Sequence, residues 1–218
     1  MTELRSRRYW RNRSPEERAQ NTLIPRRFRQ DTLDNFKVQK GDEKTFALIE
    51  SWVNDSEKHV EDGQGLYIVG ATGSGKTHLA QAALKRAVYK NNLCGVFVTA
   101  DKYIQMAYNE VKFSGELPEG YEDPNTLKYM QEVYDIVVLD SLGTERPTDF
   151  TRKAICSLIE SRYHEKLTTI VTSTYKPDSL TTMYSKSVSS ILSACCYIAP
   201  LRNEDYRINK WMDEHAGE

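Results

Sequence analysis

Cysteine is scarce and unpatterned in this chain: four residues, at 94, 156, 195 and 196, with no Cys-x-x-Cys spacing, and four histidines scattered at 59, 78, 164 and 215. This distribution excludes a disulfide-stapled secreted scaffold and argues against a structural zinc site. Unpaired cysteines suit a reducing, cytoplasmic compartment. No run approaches the roughly 18 consecutive apolar residues of a membrane span. The opening MTELRSRRYWRNRS has basic residues but no apolar stretch behind them, so it does not read as a secretory signal. Internal repeats and low-complexity tracts are missing as well.

What is present is an ordinary globular composition. The 218 residues are 39% hydrophobic and 28% charged, which argues against wholesale disorder. One domain of this size buries roughly 70% of the surface its unfolded chain exposes. The net charge of -1 hides an uneven distribution, because residues 1–30 carry nine arginines against Glu3, Glu16 and Glu17. A basic arm on a mildly acidic body fits an anionic partner, either nucleic acid or an acidic protein face, and it equally fits a solvated tail. Residues 1–22 therefore read as an appendage, with Ser14-Pro15-Glu16-Glu17 as a capping box opening a short helix. The domain proper is expected over 23–207, with a tail at 208–218.

Residues 41–62 carry an amphipathic stripe (Phe46, Ile49, Val53) that predicts one helix. Beyond Gly63 short apolar runs alternate with helical segments. The runs at 65–70, 95–100, 135–140, 168–174 and 196–201 predict strands, and 76–92, 101–113 and 148–166 predict helices. Residues 114–125 read as a loop from their Gly, Pro and Asp content. Strands alternating with helices predict an α/β fold of three αβα layers around a five-stranded parallel sheet.

The strongest motif is Gly70-Ala71-Thr72-Gly73-Ser74-Gly75-Lys76-Thr77, which satisfies GxxxxGK[ST], follows a strand and opens a helix. Glycines let backbone amides curl around phosphates, and the helix N-terminus adds positive potential. Lys76 would place its charge on the β and γ phosphates of ATP, and the Thr77 hydroxyl would ligate Mg2+. A second acid is needed for the metal, and DIVVLD ends in Asp140 at a strand tip. Many P-loop ATPases place another acid directly after it to orient water; here that residue is Ser141.

The order of these motifs resembles the AAA+ helicase loaders of the DnaC and DnaI type and the related IstB transposition helpers. The resemblance runs from LIPRRFRQDTLDNF (23–36) through GATGSGKTHLAQA (70–82), YDIVVLDSLGTERPTDF (134–150) and LIESRYHEKLTTIVTST (158–174) to EDYR (204–207). It implies an AAA+ domain without a helical lid, since only 17 residues follow the fifth strand. It also implies that the 23–36 segment lines the adenine, through Pro25 and Phe28, with His78 beside the loop. The family's sensor asparagine corresponds to Thr174. Its arginine finger should fall near 185–196, which holds no arginine and only Lys186. Elements that bind nucleotide are intact while those that assist hydrolysis are replaced. An arginine finger is worth about 10³–10⁵ in rate and a positioned base about 10²–10⁴, so slow or partner-dependent hydrolysis is expected. Glu145 is the candidate substitute base, or merely a neighbour of the next helix.

In the resembled loaders, helices between the second and third strands grip single-stranded DNA. The matching region places Lys102, Tyr103, Lys112, Phe113 and Lys128 as candidate contacts, since aromatics beside lysines suit stacking and phosphate neutralisation. Aromatics at this spacing also suit a core. The arm, with Tyr9 and Trp10 among arginines, would dock a partner, and the resemblance implies a hexameric replicative helicase. Self-assembly, or assembly templated by that ring, is expected. The alternatives are a transposition helper on duplex DNA and a nucleotide-gated adaptor with no catalytic cycle.

Overall fold

A computed structural model describes residues 13–112, 126–202 and 205–206. Five strands, β1 (Gly65–Gly70), β2 (Gly95–Thr99), β3 (Ile136–Leu142), β4 (Thr168–Ser173) and β5 (Cys196–Leu201), form one parallel sheet in the order β2-β3-β4-β1-β5. The expected αβα architecture is present. Because successive side chains along a strand point to opposite faces, each strand serves two cores. Leu66, Ile68, Val138 and Ile170 face one side with Trp52, Leu79 and Leu84. Tyr67, Val69, Val137, Leu139 and Val171 face the other with Tyr103, Ile155 and Leu158.

The first core is covered by α2 (Glu43–Asn54), α3 (Ser56–Glu61) and α4 (Lys76–Lys90). The 41–62 stretch is thus two helices and not one. Ser56 Oγ donates to the Val53 carbonyl at 2.9 Å and accepts from Asn91 Nδ2 at 2.6 Å, a local alternative to continuing the helix. The second core is covered by α5 (Ala100–Lys112), a single π-helical turn (Tyr129–Val133) and α6 (Asp149–His164). The short α7 (Leu180–Met183) and then α8 (Lys186–Cys195) complete that layer.

Residues 14–22, which the sequence assigns to an appendage, lie on the domain. The capping box at Ser14 starts α1 (Pro15–Gln20), which packs against α4. Arg18 is buried and donates to Asn92 Oδ1 at 2.8 Å. The Thr22 carbonyl accepts the Phe97 amide at 2.8 Å, covering part of the open β2 edge. No apolar stripe announces this docking because the group buried is a guanidinium. Tyr9 and Trp10 fall outside the described residues.

At the N-terminal end of the sheet, Arg162 of α6 is fully buried. Its Nη1 donates to the carbonyls of Met130 (2.6 Å) and Tyr134 (3.0 Å), and its Nη2 to those of Thr168 (2.6 Å) and Asp135 (3.3 Å). Nε donates to Thr169 Oγ1 at 3.1 Å. Only a planar fork of five N–H groups reaches all these acceptors; an ammonium has three donors on one point. Arg162→Lys should therefore lower the unfolding free energy by about 2–4 kcal/mol. Urea titration checks this, and an unchanged midpoint would show that the carbonyls find other donors.

Candidate nucleotide site

The loop between β1 and α4 turns on two glycines in left-handed conformation, Gly73 (φ +76°) and Gly75 (φ +94°). Both conformations strain any residue with a Cβ; one on Gly75 would also meet Phe36 Cε2 at 2.6 Å, and one on Gly73 would displace the Asp205 carboxylate, whose Oδ1 lies 2.0 Å from that position. A carboxylate thus already rests against the anion-binding loop, and the Tyr206 amide donates to the Gly73 carbonyl at 3.1 Å. Lys76 Nζ donates to the Ala71 carbonyl across the loop at 2.7 Å. Gly70 ends β1, Ala71 and Thr72 are exposed, and Ser74 is buried beneath the turn.

Asp140 stands at the tip of β3, almost fully buried. Its Oδ1 accepts from Thr77 Oγ1 at 2.8 Å and from Thr172 Oγ1 at 2.7 Å. Its Oδ2 accepts from Ser141 Oγ at 3.1 Å. The arrangement comes from a bulge. Leu139 pairs with Val171 and Leu142 with Ser173, so Asp140 and Ser141 together oppose Thr172. Ser141 adopts φ +63° there, and its amide donates to Thr172 Oγ1 at 2.8 Å. The bulge also carries β3 two residues beyond its expected end.

Thr172 is a site residue that sequence reasoning passed over in favour of Thr174. Thr174 is exposed beyond the end of β4, and among the described residues its side chain has no hydrogen-bond partner. Strand alternation could not separate the two, since residues two apart share a face; the bulge in β3 is what sets Asp140 against Thr172.

Of the 23–36 segment, the part against the loop is its end. His78 Nε2–H donates to the Thr32 carbonyl at 2.7 Å, and Phe36 meets His78 edge-on with ring centroids 5.2 Å apart. Phe28 instead sits where Lys85 Nζ reaches its carbonyl at 3.3 Å, roughly 13 Å further along α4 from Lys76. Pro25 precedes it and is exposed. Sequence spacing could not distinguish Phe28 from Phe36, because the path of the segment along α4 decides which ring arrives.

Tyr103 is corrected outright: it is fully buried in the second core and bonds Gln131 through its hydroxyl at 2.9 Å. The face of α5 that carries it is the one packed on the sheet. Lys102, Lys112 and Lys128 are exposed, and Phe113 lies outside the described residues. Among the described residues no helix is long and apolar enough to cross a membrane.

Glu145 is buried in the loop after β3. Its Oε2 accepts the Gly143 amide at 3.0 Å, while among the described residues Oε1 has no hydrogen-bond partner. Burial pushes its carboxyl above the usual range, the nearby Asp101 charge adds to this, and hydrogen bonds from backbone amides oppose it.

A phosphate loop after β1 and an aspartate near the end of β3, with β4 between the two strands in this parallel sheet, define a P-loop domain of the AAA+ type. The family model for IstB-like ATP binding proteins matches residues 11–210, and the chain belongs to that family. Among solved structures it is similar to the DnaC helicase loader, at 27% identity and TM-score 0.71, covering 82% of this chain and all of that one. A putative primosome component from Streptococcus pyogenes serotype M3 matches at 20% identity and TM-score 0.66, over 87% of this chain and 97% of that one. The replication initiator DnaA bound to AMPPCP and single-stranded DNA matches at 20% and 0.66, over 88% and 56%. These last two likenesses concern the fold alone. No curated protein sequence matches significantly.

The raised Glu145 carboxyl has a consequence for stability. The folded protein holds this proton more tightly than the unfolded chain, so stability falls as pH rises from the ordinary carboxyl value through the raised one. Glu145→Gln removes that dependence. Relative to the parent, the variant should gain stability as pH rises upward from the ordinary carboxyl range. Urea midpoints from that range upward test it; a pH-independent difference would mean that Glu145 ionises as freely as an exposed carboxyl.

Proposed function

We propose that this protein binds Mg-ATP and helps place a replicative helicase ring on single-stranded DNA, hydrolysing ATP slowly by itself. The observation that carries the loader reading is the similarity to the DnaC helicase loader over that chain's whole length. The donor set suits the ligand. The Thr77 hydroxyl and the Asp140 carboxylate, 2.8 Å apart, are hard oxygen donors of the kind Mg2+ takes together with phosphates. Bound there, the ion would neutralise charge on the β and γ phosphates. Lys76 would exchange the Ala71 carbonyl for a phosphate oxygen, and the loop amides would hold the rest. Lys102, Lys112 and Lys128 would contact DNA phosphates, and the basic arm would dock the helicase in an oligomeric, cytoplasmic assembly.

Slow turnover follows from what surrounds Asp140. Ser141 is a poor base, and its hydroxyl is turned back onto the Asp140 carboxylate. Glu145 has one oxygen committed to the Gly143 amide and is enclosed. A second reading, a transposition helper on duplex DNA, is favoured by the IstB-like family match.

Lys76→Ala should abolish ATP binding, measured by titration with a fluorescent analogue, while leaving the urea midpoint unchanged. Retained affinity would overturn the nucleotide assignment. Capture of a replicative helicase by the full chain, and not of a transposase, supports the loader; the reverse supports the helper.

Turnover by the unmodified protein should lie about 10²–10⁴ below that of a homologue carrying the second acid. Ser141→Glu should raise it, despite the left-handed backbone at that position, and Glu145→Gln should change it little. Brisk hydrolysis abolished by Glu145→Gln would instead give the loop glutamate the catalytic role. Turnover that stays absent with DNA and helicase present would favour the nucleotide-gated adaptor.

A further inference from the structure

Three arginines stand within four positions at the short 3-10 helix Arg26–Phe28 and the residue after it, all exposed. Among the described residues the side chains of Arg26, Arg27 and Arg29 have no ion-pair or hydrogen-bond partner. They contribute nothing to the core beneath them, which Phe28 reaches instead. The segment is held rigidly nonetheless. Lys85 Nζ of α4 donates to the carbonyls of Phe28, Arg29 (3.0 Å) and Asp31, fixing the arginine backbone along the helix.

One turn beyond Lys85 on the same face of α4 stands Tyr89, 55% exposed. Three other exposed tyrosines lean on a neighbouring ring: Tyr108 on Phe150, Tyr163 on His164 and Tyr197 on His59. Tyr175, 43% exposed, shares the open state of Tyr89 but stands beyond the end of β4, away from the arginines. Tyr89 makes no ring contact and no side-chain hydrogen bond among the described residues. Arg86 and Lys90 flank it, Arg86 only 3.6 Å from the largely solvated Asp34. Lys90 has a structural use at the helix C-terminus. The three segment arginines have none.

We infer that Arg26, Arg27, Arg29, Arg86, Tyr89 and Lys90 form a binding surface for single-stranded DNA, separate from the nucleotide loop and from the lysines around α5. Guanidinium groups held on a fixed backbone suit phosphate oxygens, and an open aromatic ring beside them offers a stacking platform that accepts any base. An acidic protein face would use the charges but leave the ring without a role. The surface lies on the α4 side of the sheet, whereas α5 covers the opposite side. Its biological setting rests on the loader reading; its existence does not.

The test is fluorescence anisotropy of labelled oligothymidine with the full chain, without helicase, at several salt concentrations. Replacing Arg26, Arg27 and Arg29 together by alanine should weaken binding at least about tenfold and flatten the log–log salt slope by about 2, near 0.7 for each lost phosphate contact. Tyr89→Ala should weaken binding about tenfold with the slope kept, because stacking releases no counterions. All these side chains are exposed, so unchanged thermal melts are expected and confirm folding. Parental affinity and slope in both variants would overturn the inference. So would variants that keep DNA binding but lose capture of the helicase, which would make this a protein-docking face. Loss of DNA binding in the variants, with a parent that captures no helicase, would sink the loader reading and leave the surface standing.

Discussion

The one extra residue in β3 governs the upper end of the sheet. In a regular strand Asp140 and Ser141 would point to opposite faces. Set together against Thr172, they bring two side chains and an amide onto one carboxylate and one hydroxyl. Asp140 then accepts from three elements at once: Thr77 of α4, Ser141 of β3 and Thr172 of β4. Left-handed backbone at a serine costs roughly 1 kcal/mol or more. Hydrogen bonds to a carboxylate, each stronger than a neutral pair, offset it. Through this acid the helix that follows the phosphate loop is tied to β3 and β4.

The same strand pair is pinned at its other end by Arg162. Its guanidinium collects carbonyls from the π-helical turn, the entrance to β3 and the entrance to β4. Parallel strands reach each other only through long crossovers, so their relative register depends on contacts made far apart in sequence. Asp140 at one end and Arg162 at the other supply such contacts for β3 and β4. The loop after β1, the strand next to β4, is held against that fixed pair.

The N-terminal segment completes the site by following α4 backwards, from its C-terminal end to the phosphate loop. Arg18 meets Asn92, Lys85 grips the carbonyls of 28–31, Thr32 meets His78, and Phe36 closes against Gly75. Two outcomes follow from one path. An aromatic ring is delivered to the loop, and the arginines ahead of it are left facing outward.

The parallel sheet, the phosphate loop and Asp140 were legible in the sequence, because each depends on local order: apolar runs between helices, glycines at fixed offsets, an acid at a strand tip. The end of the first helical region at Asn54 was not, since Ser56 bonds Asn91 from another element. Tyr103 read as well for a DNA contact as for core, because spacing gives a helix's faces without saying which one meets the sheet. Thr172 and Thr174 are both threonines near the end of one strand, and only the bulge in β3 brings the first to Asp140. Phe28 and Phe36 are likewise equivalent until the segment is laid along α4. The sequence by itself determined the class of chemistry, since backbone amides and one lysine suffice to define a phosphate loop. Tertiary structure alone decided which hydroxyl, which ring and which arginines stand beside it, because those positions depend on packing between residues that sequence order keeps apart.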